Sequence, residues 1–258
     1  SYCQSMAENI QLKLDGSVAV VTMAKPPHNL INGNFLQELI TAFETAETQG
    51  ARSILLRSEM KHFSAGADVD GFGSEDTLNM AADEVLDRLE GIGLPTIAAV
   101  HGLALGGGFE LALACDFIIA AKSASLGLVE TSLGLAPLLG GVQRVVQRSG
   151  TARGKEIAMF GRRHDPATLA SWGVINVVVE EEELLAASMS WARQLASGPT
   201  VAHRVIKKLA AVCASDGVRS ADLIQDRLVQ DIWNSEDAKN GLLAYAESGP
   251  GTAIFEGR

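Results

Sequence analysis

The sequence predicts an α/β domain followed by a helical C-terminal region. Strand-like and helix-like segments alternate through roughly the first two-thirds of the chain, as is typical of α/β folds. From about Glu181 the pattern is almost entirely helical, with Gly198-Pro199 as a break between helices. A chain of 258 residues, 47% of them hydrophobic, is long enough for one large domain or a domain with an appendage. We therefore expect an α/β core over residues 6–200 and a helical region over residues 201–258.

The first elements follow from alternation and from turn residues. Segments 10–14 and 18–23 alternate or are β-branched, and Asp15-Gly16 between them indicates a hairpin. Helically spaced apolar residues predict a helix from 35 to about 48, and segment 53–57 reads as a short buried strand.

The middle of the chain alternates in the same way. Residues 60–75 are rich in glycine and predict a loop, and residues 76–90 predict an amphipathic helix. Strands are expected at 96–100 and 117–121, with a helix that begins at about Gly107 between them. Residues 1–5 look like the remnant of a cleaved tag and are left out of the fold prediction.

The composition argues against several classes of protein. A formal net charge of −10 without a basic cluster is unfavourable for nucleic-acid binding. The three cysteines share no C-x-x-C spacing, which fits a reducing, cytoplasmic setting, and Cys115 and Cys213 lie in apolar patterns expected to be core. The histidines show no metal-binding spacing, so no metal site is expected.

One apolar stretch, residues 92–109, raises the question of a membrane span. Pro95, His101 and the repeated glycines argue against a spanning helix and favour a buried strand, turn and helix. There is also no basic and then apolar leader, so we expect neither membrane association nor secretion.

Two isolated carboxylates are the most informative polar residues. Glu110 is the only carboxylate in residues 91–115, and Glu130 is the only ionisable side chain in residues 123–143. A carboxylate removed from water is costly unless it is hydrogen-bonded or serves chemistry near neutral pH. Either glutamate alone could be structural, bonded to backbone amides. Two of them near strand-helix junctions favour a catalytic site.

Two turns of small residues lie near these glutamates in the sequence. Gly106–Gly108 follow a predicted strand and open a helix, where free N–H groups favour negative charge. Residues 62–68, HFSAGAD, form a second turn of this kind. One amide from each turn could form an oxyanion hole. No G-x-S-x-G elbow, Walker A motif or G-x-G-x-x-G after a strand is present to indicate another chemistry.

Four motifs together resemble the enoyl-CoA hydratase/isomerase (crotonase) superfamily. They are FSAGAD at 63–68, AAVHGLALGGGFELALACD at 98–116, LGLVETSLGL at 126–135 and GGVQR at 140–144. Their order and intervals fit over essentially the whole chain from Met6. The resemblance implies a crotonase-like spiral of repeated ββα units, a C-terminal helical region used in trimerisation, and a homotrimer or homohexamer.

The same resemblance implies the substrate and the site. The substrate would be an acyl-CoA thioester, with no cofactor besides the coenzyme A that is part of it. The amides of Ala67 and Gly107 would form the oxyanion hole. Glu110 would act as base on the attacking water, and Glu130 would deliver a proton to C2 of a 2-enoyl-CoA. Further residues expected to contact substrate are Lys25, Ala65, Asp68 and Leu138.

The sequence departs from the common family pattern at positions that bear on the reaction. Val129 stands where many hydratases have proline, and Leu138 replaces a glycine beside the acyl pocket. Lys25 is placed to meet CoA phosphates or to be an ordinary solvated lysine. Hydration is therefore the first hypothesis; isomerisation, dehydration or thioester hydrolysis on the same scaffold are alternatives, as is a non-catalytic acyl-CoA-binding protein.

Overall fold

Most of the described strands belong to one sheet, which carries the parallel strands expected of an α/β fold. A computed structural model describes residues 9–69 and 82–258. Its strands are β1 (Ile10–Asp15), β2 (Val18–Met23), β3 (Ser53–Ser58), β4 (Thr96–Val100), β5 (Leu103–Leu105), β6 (Phe117–Ala121), β7 (Ser125–Gly127) and β8 (Val177–Val179). The sheet order is β1-β2-β3-β4-β6-β8, with β1 antiparallel and the others parallel. A second, smaller sheet pairs β5 and β7 in parallel.

The helices follow the strands in a repeating order. They are α1 (Gly33–Thr48), α2 (Ala82–Glu90), α3 (Gly107–Leu113), α4 (Gly141–Phe160), α5 (Pro166–Ser171), α6 (Leu184–Ala196), α7 (Thr200–Asp216), α8 (Val218–Asn234) and α9 (Glu236–Ser248). Two strands followed by a helix recur as β1-β2-α1, β4-β5-α3 and β6-β7-α4. A 3₁₀ turn at Glu130–Leu133 lies between β7 and α4.

The central strands of the large sheet are buried on both faces. Successive side chains of each strand point to opposite sides, so neighbouring residues join different cores. On β4, Ala98 and Val100 join the larger core with α1 and α3, while Ile97 and Ala99 join the core beneath α6. The neighbouring strands β2, β3 and β6 alternate in the same way. Burial on both faces explains why these strands read as continuous apolar runs.

The C-terminal region is attached to the core by polar contacts. Arg52, which precedes β3, donates to the Oγ1 of Thr200 and to the carbonyl oxygens of Gly198 and Phe255. Lys207 on α7 donates to Asp116 Oδ2 at 2.9 Å. These contacts hold the start of α7 and the end of the chain against the sheet.

Most of the strands and helices that the sequence predicts are present in the structure. The hairpin, α1, β3, β4, β6 and the Gly198-Pro199 break are confirmed. The expected loop 60–75 and helix 76–90 lie partly outside the described residues, as do residues 1–5 entirely. No helix within residues 9–69 and 82–258 has the length and apolarity needed to cross a membrane.

One expectation about the cysteines is wrong. Cys115 is buried, as expected, but Cys213 is exposed. Cys213 lies near the end of α7, a helix whose buried residues, Thr200 and Val205, are in its first two turns. The apolar pattern of α7 therefore does not correspond to a core face within this chain.

Candidate active site

The residues predicted to be functional meet at the carboxyl end of the parallel sheet. The turn with Ala67 follows β3, Gly106 and α3 follow β4 and β5, and the turn with Glu130 follows β6 and β7. Parallel strands end at the same edge of a sheet, which is where α/β proteins bind their ligands. Segments far apart in the sequence are in this way brought to one site.

The two predicted oxyanion-hole amides lie in segments that run side by side. Ser64 pairs with Ala104 in a parallel bridge, and Leu105 N donates to Ser64 O at 3.1 Å. Three residues further along each segment come Ala67 and Gly107. The segments approach so closely that a Cβ on Gly108 would lie 2.5 Å from Ser64 O. Among the described residues, neither the Ala67 nor the Gly107 amide has a hydrogen-bond acceptor, so both could bind a ligand oxygen.

Glu110 is buried on α3 and held by two backbone amides. Glu110 is only 1% exposed. Its Oε1 atom accepts hydrogen bonds from Leu139 N at 2.9 Å and from Gly141 N at 2.7 Å. Burial raises the pKa of Glu110 to about 7, aided by the charge of Glu130, while the two amide bonds and Arg144 act in the opposite direction. A carboxyl group with a pKa near neutrality suits proton transfer at physiological pH.

Glu130 begins the 3₁₀ turn after β7 and is half-buried. Its Oε2 is a buried atom to which no donor among the described residues points. Burial also raises the pKa of Glu130. Buried polar atoms are nearly always bonded, so an unpartnered one indicates a proton, a water molecule or a ligand at that position.

Both carboxylates border the same glycine pair. Gly106 N donates to Gly127 O at 2.8 Å, which draws the start of α3 against the segment that carries Glu130. A Cβ on Gly106 would lie 2.9 Å from Glu130 Oε1, and a Cβ on Gly107 would lie 4.0 Å from Glu110 Oε2. Gly106 has a φ of 51°, a conformation that favours glycine. The absence of side chains at these two glycines therefore leaves room between the Gly107 amide and the two carboxyl groups.

The four expected substrate-contacting residues lie near this site but differ in exposure. Lys25, in the loop after β2, donates from Nζ to Leu30 O at 2.8 Å. Ala65 N donates to His28 O, and Asp68 N donates to Ile31 O, so the backbone is fixed on both sides of Ala67. Leu138 is 51% exposed. Their roles toward a substrate remain predictions.

Sequence reasoning did not assign the groups that hold Glu110. The backbone amides of Leu139 and Gly141 hold the Glu110 carboxyl group. The side chain of Leu139 also faces Gly107, because its Cδ1 lies 3.7 Å from the position that a Cβ on Gly107 would take. The Gly140-Gly141 doublet at the start of α4 could have indicated these backbone amides, because the first amides of a helix have no partner within it. Gly140 itself has a φ of 95°. Within residues 9–69 and 82–258, no cluster of three or more His, Cys, Asp or Glu side chains is arranged to hold a metal ion.

Comparisons with known proteins identify the family of the chain. The family model described as enoyl-CoA hydratase/isomerase matches residues 13–256. A Bacillus subtilis protein named probable enoyl-CoA hydratase is 34% identical over 249 residues, which cover 92% of this chain and 95% of that protein. The carnitinyl-CoA dehydratase of Escherichia coli K12 is 33% identical over 258 residues, covering 94% and 97%.

The overall fold is also similar to solved structures. The crystal structure of enoyl-CoA hydratase subunit I from Geobacillus kaustophilus superposes with a TM-score of 0.90 at 32% identity, covering 98% of this chain and 100% of that one. The expected crotonase-like α/β fold is therefore confirmed, and the trimerisation role of its C-terminal region remains a prediction.

Proposed function

The chain belongs to the enoyl-CoA hydratase/isomerase family, and from that premise we propose that it is an enzyme that reversibly adds water to a 2-enoyl-CoA thioester. The observation that carries the proposal is that Glu130 lies beside Gly106 and Glu110 beside Gly107. The substrate is an acyl-CoA, with coenzyme A as part of it and no further cofactor. The active form is a homotrimer or homohexamer.

The oxyanion hole stabilises the intermediate. Addition of water at C3 places negative charge on the thioester oxygen, and the Ala67 and Gly107 amides donate to that oxygen. Gly107 begins α3, so the partial positive charge of a helix N-terminus acts in the same direction. Removing one such donor in other enzymes costs about 2.7–4 kcal/mol of transition-state stabilisation.

The two glutamates divide the proton transfers. Glu110, fixed through Oε1, takes a proton from the attacking water, and Glu130 delivers a proton to C2. In the reverse direction Glu130 removes the C2 proton and Glu110 returns a proton to the departing hydroxyl, so dehydration of a 3-hydroxyacyl-CoA needs the same groups. Carboxyl groups with raised pKa can work in both directions near neutral pH.

An assay with a panel of 2-enoyl-CoA thioesters of increasing chain length and branching tests the proposal. We expect loss of the conjugated thioester absorbance together with formation of 3-hydroxyacyl-CoA, identified by chromatography. The matched control is the Glu110→Gln/Glu130→Gln double variant, which should bind acyl-CoA without converting it. A folded wild-type protein that binds acyl-CoA but hydrates no member of the panel would refute the proposal.

A further inference from the structure

Arg144 on α4 joins the end of α2 to the loop that holds Glu110. Its Nε and Nη2 donate to Glu90 Oε1 and Oε2, each at 2.6 Å, and its Nη1 donates to Gly140 O at 3.1 Å. A bidentate pair of this kind fixes the plane of the guanidinium as well as its position. The Arg144 side chain is only 19% exposed, and that of Glu90 is 38% exposed.

The peptide between Gly140 and Gly141 is held from both ends. Its carbonyl oxygen accepts from Arg144, and its N–H donates to Glu110 Oε1 at 2.7 Å. A trans peptide is planar, with its C=O and N–H in opposite directions. The guanidinium that orients the carbonyl therefore also orients the N–H that points at Glu110.

Gly140 makes this arrangement possible. Its φ of 95° lies in the region that favours glycine, and a Cβ there would clash with Nη1 of Arg144. Gly141 lies close to Glu110, since a Cβ on Gly141 would be only 2.8 Å from Glu110 Cγ. The glycine doublet thus lets a cation and a carboxyl group approach opposite ends of one peptide.

We propose that Glu90 and Arg144 are positioning residues for the reaction, which orient the Gly140–Gly141 peptide and through it the Glu110 carboxyl group toward the attacking water. The inference rests on the proposed function of Glu110 as the base. Both residues act on the geometry of Glu110 through this one peptide.

The charge of Arg144 has a second effect on Glu110, in the same direction as the Gly141 hydrogen bond. Among the described residues, the charged groups that act on Glu110 are Glu130, on the turn after β7, and Arg144. Burial is the main cause that raises the pKa of Glu110, and the positive charge of Arg144 lowers it. The Gly141 hydrogen bond also lowers it, so losing either the charge or the alignment of the Gly140–Gly141 peptide should raise the pH at which Glu110 ionises.

The test compares Arg144→Gln, Arg144→Lys and Glu90→Gln with a matched control. The control is Arg88→Gln, because Arg88 on the same helix as Glu90 also pairs with a glutamate: its Nε and Nη2 both donate to Glu44 Oε1, at 2.9 and 2.6 Å. Arg88 is not among the groups that act on Glu110. For each folded variant, kcat and KM are measured against pH. The titration of the Glu110 carboxyl group is followed by carbon NMR of glutamate-labelled protein, with the signal assigned by its loss in Glu110→Gln.

We expect Arg144→Gln to lower kcat by about 10-fold to 100-fold, as misplacement of a reacting group does, with KM little changed. The acid limb of kcat/KM and the NMR titration of Glu110 should both move to higher pH. Arg144→Lys should lower kcat and move both titrations less than Arg144→Gln does, because the charge stays and only the bidentate geometry is lost. Glu90→Gln should also lower kcat and move the titrations less than Arg144→Gln does, and Arg88→Gln should change none of these quantities.

The inference would be overturned if kcat stayed within twofold of wild type in both Glu90→Gln and Arg144→Gln. It would also be overturned if Arg88→Gln lowered kcat as much as those two variants do. An unmoved Glu110 signal in Arg144→Gln would also count against it. The NMR titration needs no turnover, so the placement of Glu110 by Arg144 is tested even if the wild-type protein hydrates no substrate. A wild type without hydratase activity refutes the proposed function instead.

Discussion

Glu130 Oε1 lies 2.9 Å from the Cβ position of Gly106 and Glu110 Oε2 lies 4.0 Å from that of Gly107, and the charge of Glu130 adds to the burial that raises the pKa of Glu110 to about 7. The negative charge of Glu130 therefore disfavours ionisation of Glu110 in a site shielded from water. Different protonation states of the two carboxyl groups are what an acid and a base in one reaction require.

Replacing each glutamate separately should distinguish hydration from isomerisation. If both serve hydration, Glu110→Gln and Glu130→Gln should each lower turnover by about 10²-fold or more, with acyl-CoA binding nearly intact. An isomerase should lose activity with Glu130→Gln and retain much of it with Glu110→Gln, since one base can move a proton between carbons. Deuterium exchange at C2 of a saturated acyl-CoA should survive in Glu110→Gln and vanish in Glu130→Gln. Full hydratase turnover in either variant would return both glutamates to structural roles.

The stability of the protein should depend on pH through Glu110. Its pKa is raised from an ordinary 4.5 to about 7 in the folded protein, so the folded state binds this proton more tightly than the unfolded state. Its contribution to stability is therefore greatest below pH 4.5 and falls as pH rises to 7. Relative to wild type, Glu110→Gln should gain about 3 kcal/mol in free energy of unfolding across that window, at about 1.4 kcal/mol per pKa unit. Denaturant unfolding at several pH values, at one protein concentration, measures this; a pH-independent difference would contradict it.

A side chain on Gly106 should inactivate the enzyme beyond its effect on the backbone. Gly106→Ala introduces both an unfavourable φ of 51° and a methyl group 2.9 Å from Glu130 Oε1. Gly16→Ala is the control, because Gly16 has a φ of 59° and no atom within 4 Å of its Cβ position. Both variants should lose stability from the backbone, Gly106→Ala more than Gly16→Ala because the ψ of Gly106 is −123°, outside the left-handed helical region. Only Gly106→Ala should lose turnover. Equal kcat values in the two variants would show that Glu130 tolerates displacement.

Acyl-CoA binding should weaken as salt concentration rises, despite the net charge of −10. We expect the CoA phosphates to pair with local lysine or arginine side chains, including some from a neighbouring subunit, and screening reduces such pairing. Calorimetry with a saturated acyl-CoA measures how the affinity depends on salt concentration. Comparing Lys25→Met with Lys13→Met, a variant of an exposed lysine, tests how much of that dependence comes from Lys25. An affinity independent of ionic strength would exclude phosphate pairing as a main contribution.

The C-terminal helices should assemble the chain into a trimer or hexamer. They and the chain end present large apolar side chains to solvent: Leu223, Trp233, Leu242, Leu243, Tyr245 and Ile254. Exposed apolar groups in such number indicate a surface that is covered by another copy. Light scattering at micromolar concentration should give three or six copies, and Leu243→Glu should lower that number while Leu14→Glu on β1 should not. A monomeric wild type would refute this prediction.

The sequence by itself determined the regular core and the identity of the key chemical groups. The strands β2, β3, β4 and β6 are apolar because both faces of the sheet are buried, so their composition reveals them without any long-range information. Glu110 and Glu130 stand out because a carboxylate in an apolar segment is costly and needs a reason. The four motifs carried the family, which the match over residues 13–256 confirms.

Only the tertiary structure decided how those groups are held. The hydrogen bonds from Leu139 and Gly141 to Glu110 join positions 29 and 31 residues apart, and the Arg144–Glu90 pair joins positions 54 apart. No periodic pattern encodes contacts at such separations, because they depend on where the sheet places the ends of its strands. The same reason explains the exposed Cys213: the apolar pattern of α7 shows a face, and packing decides whether this chain covers it.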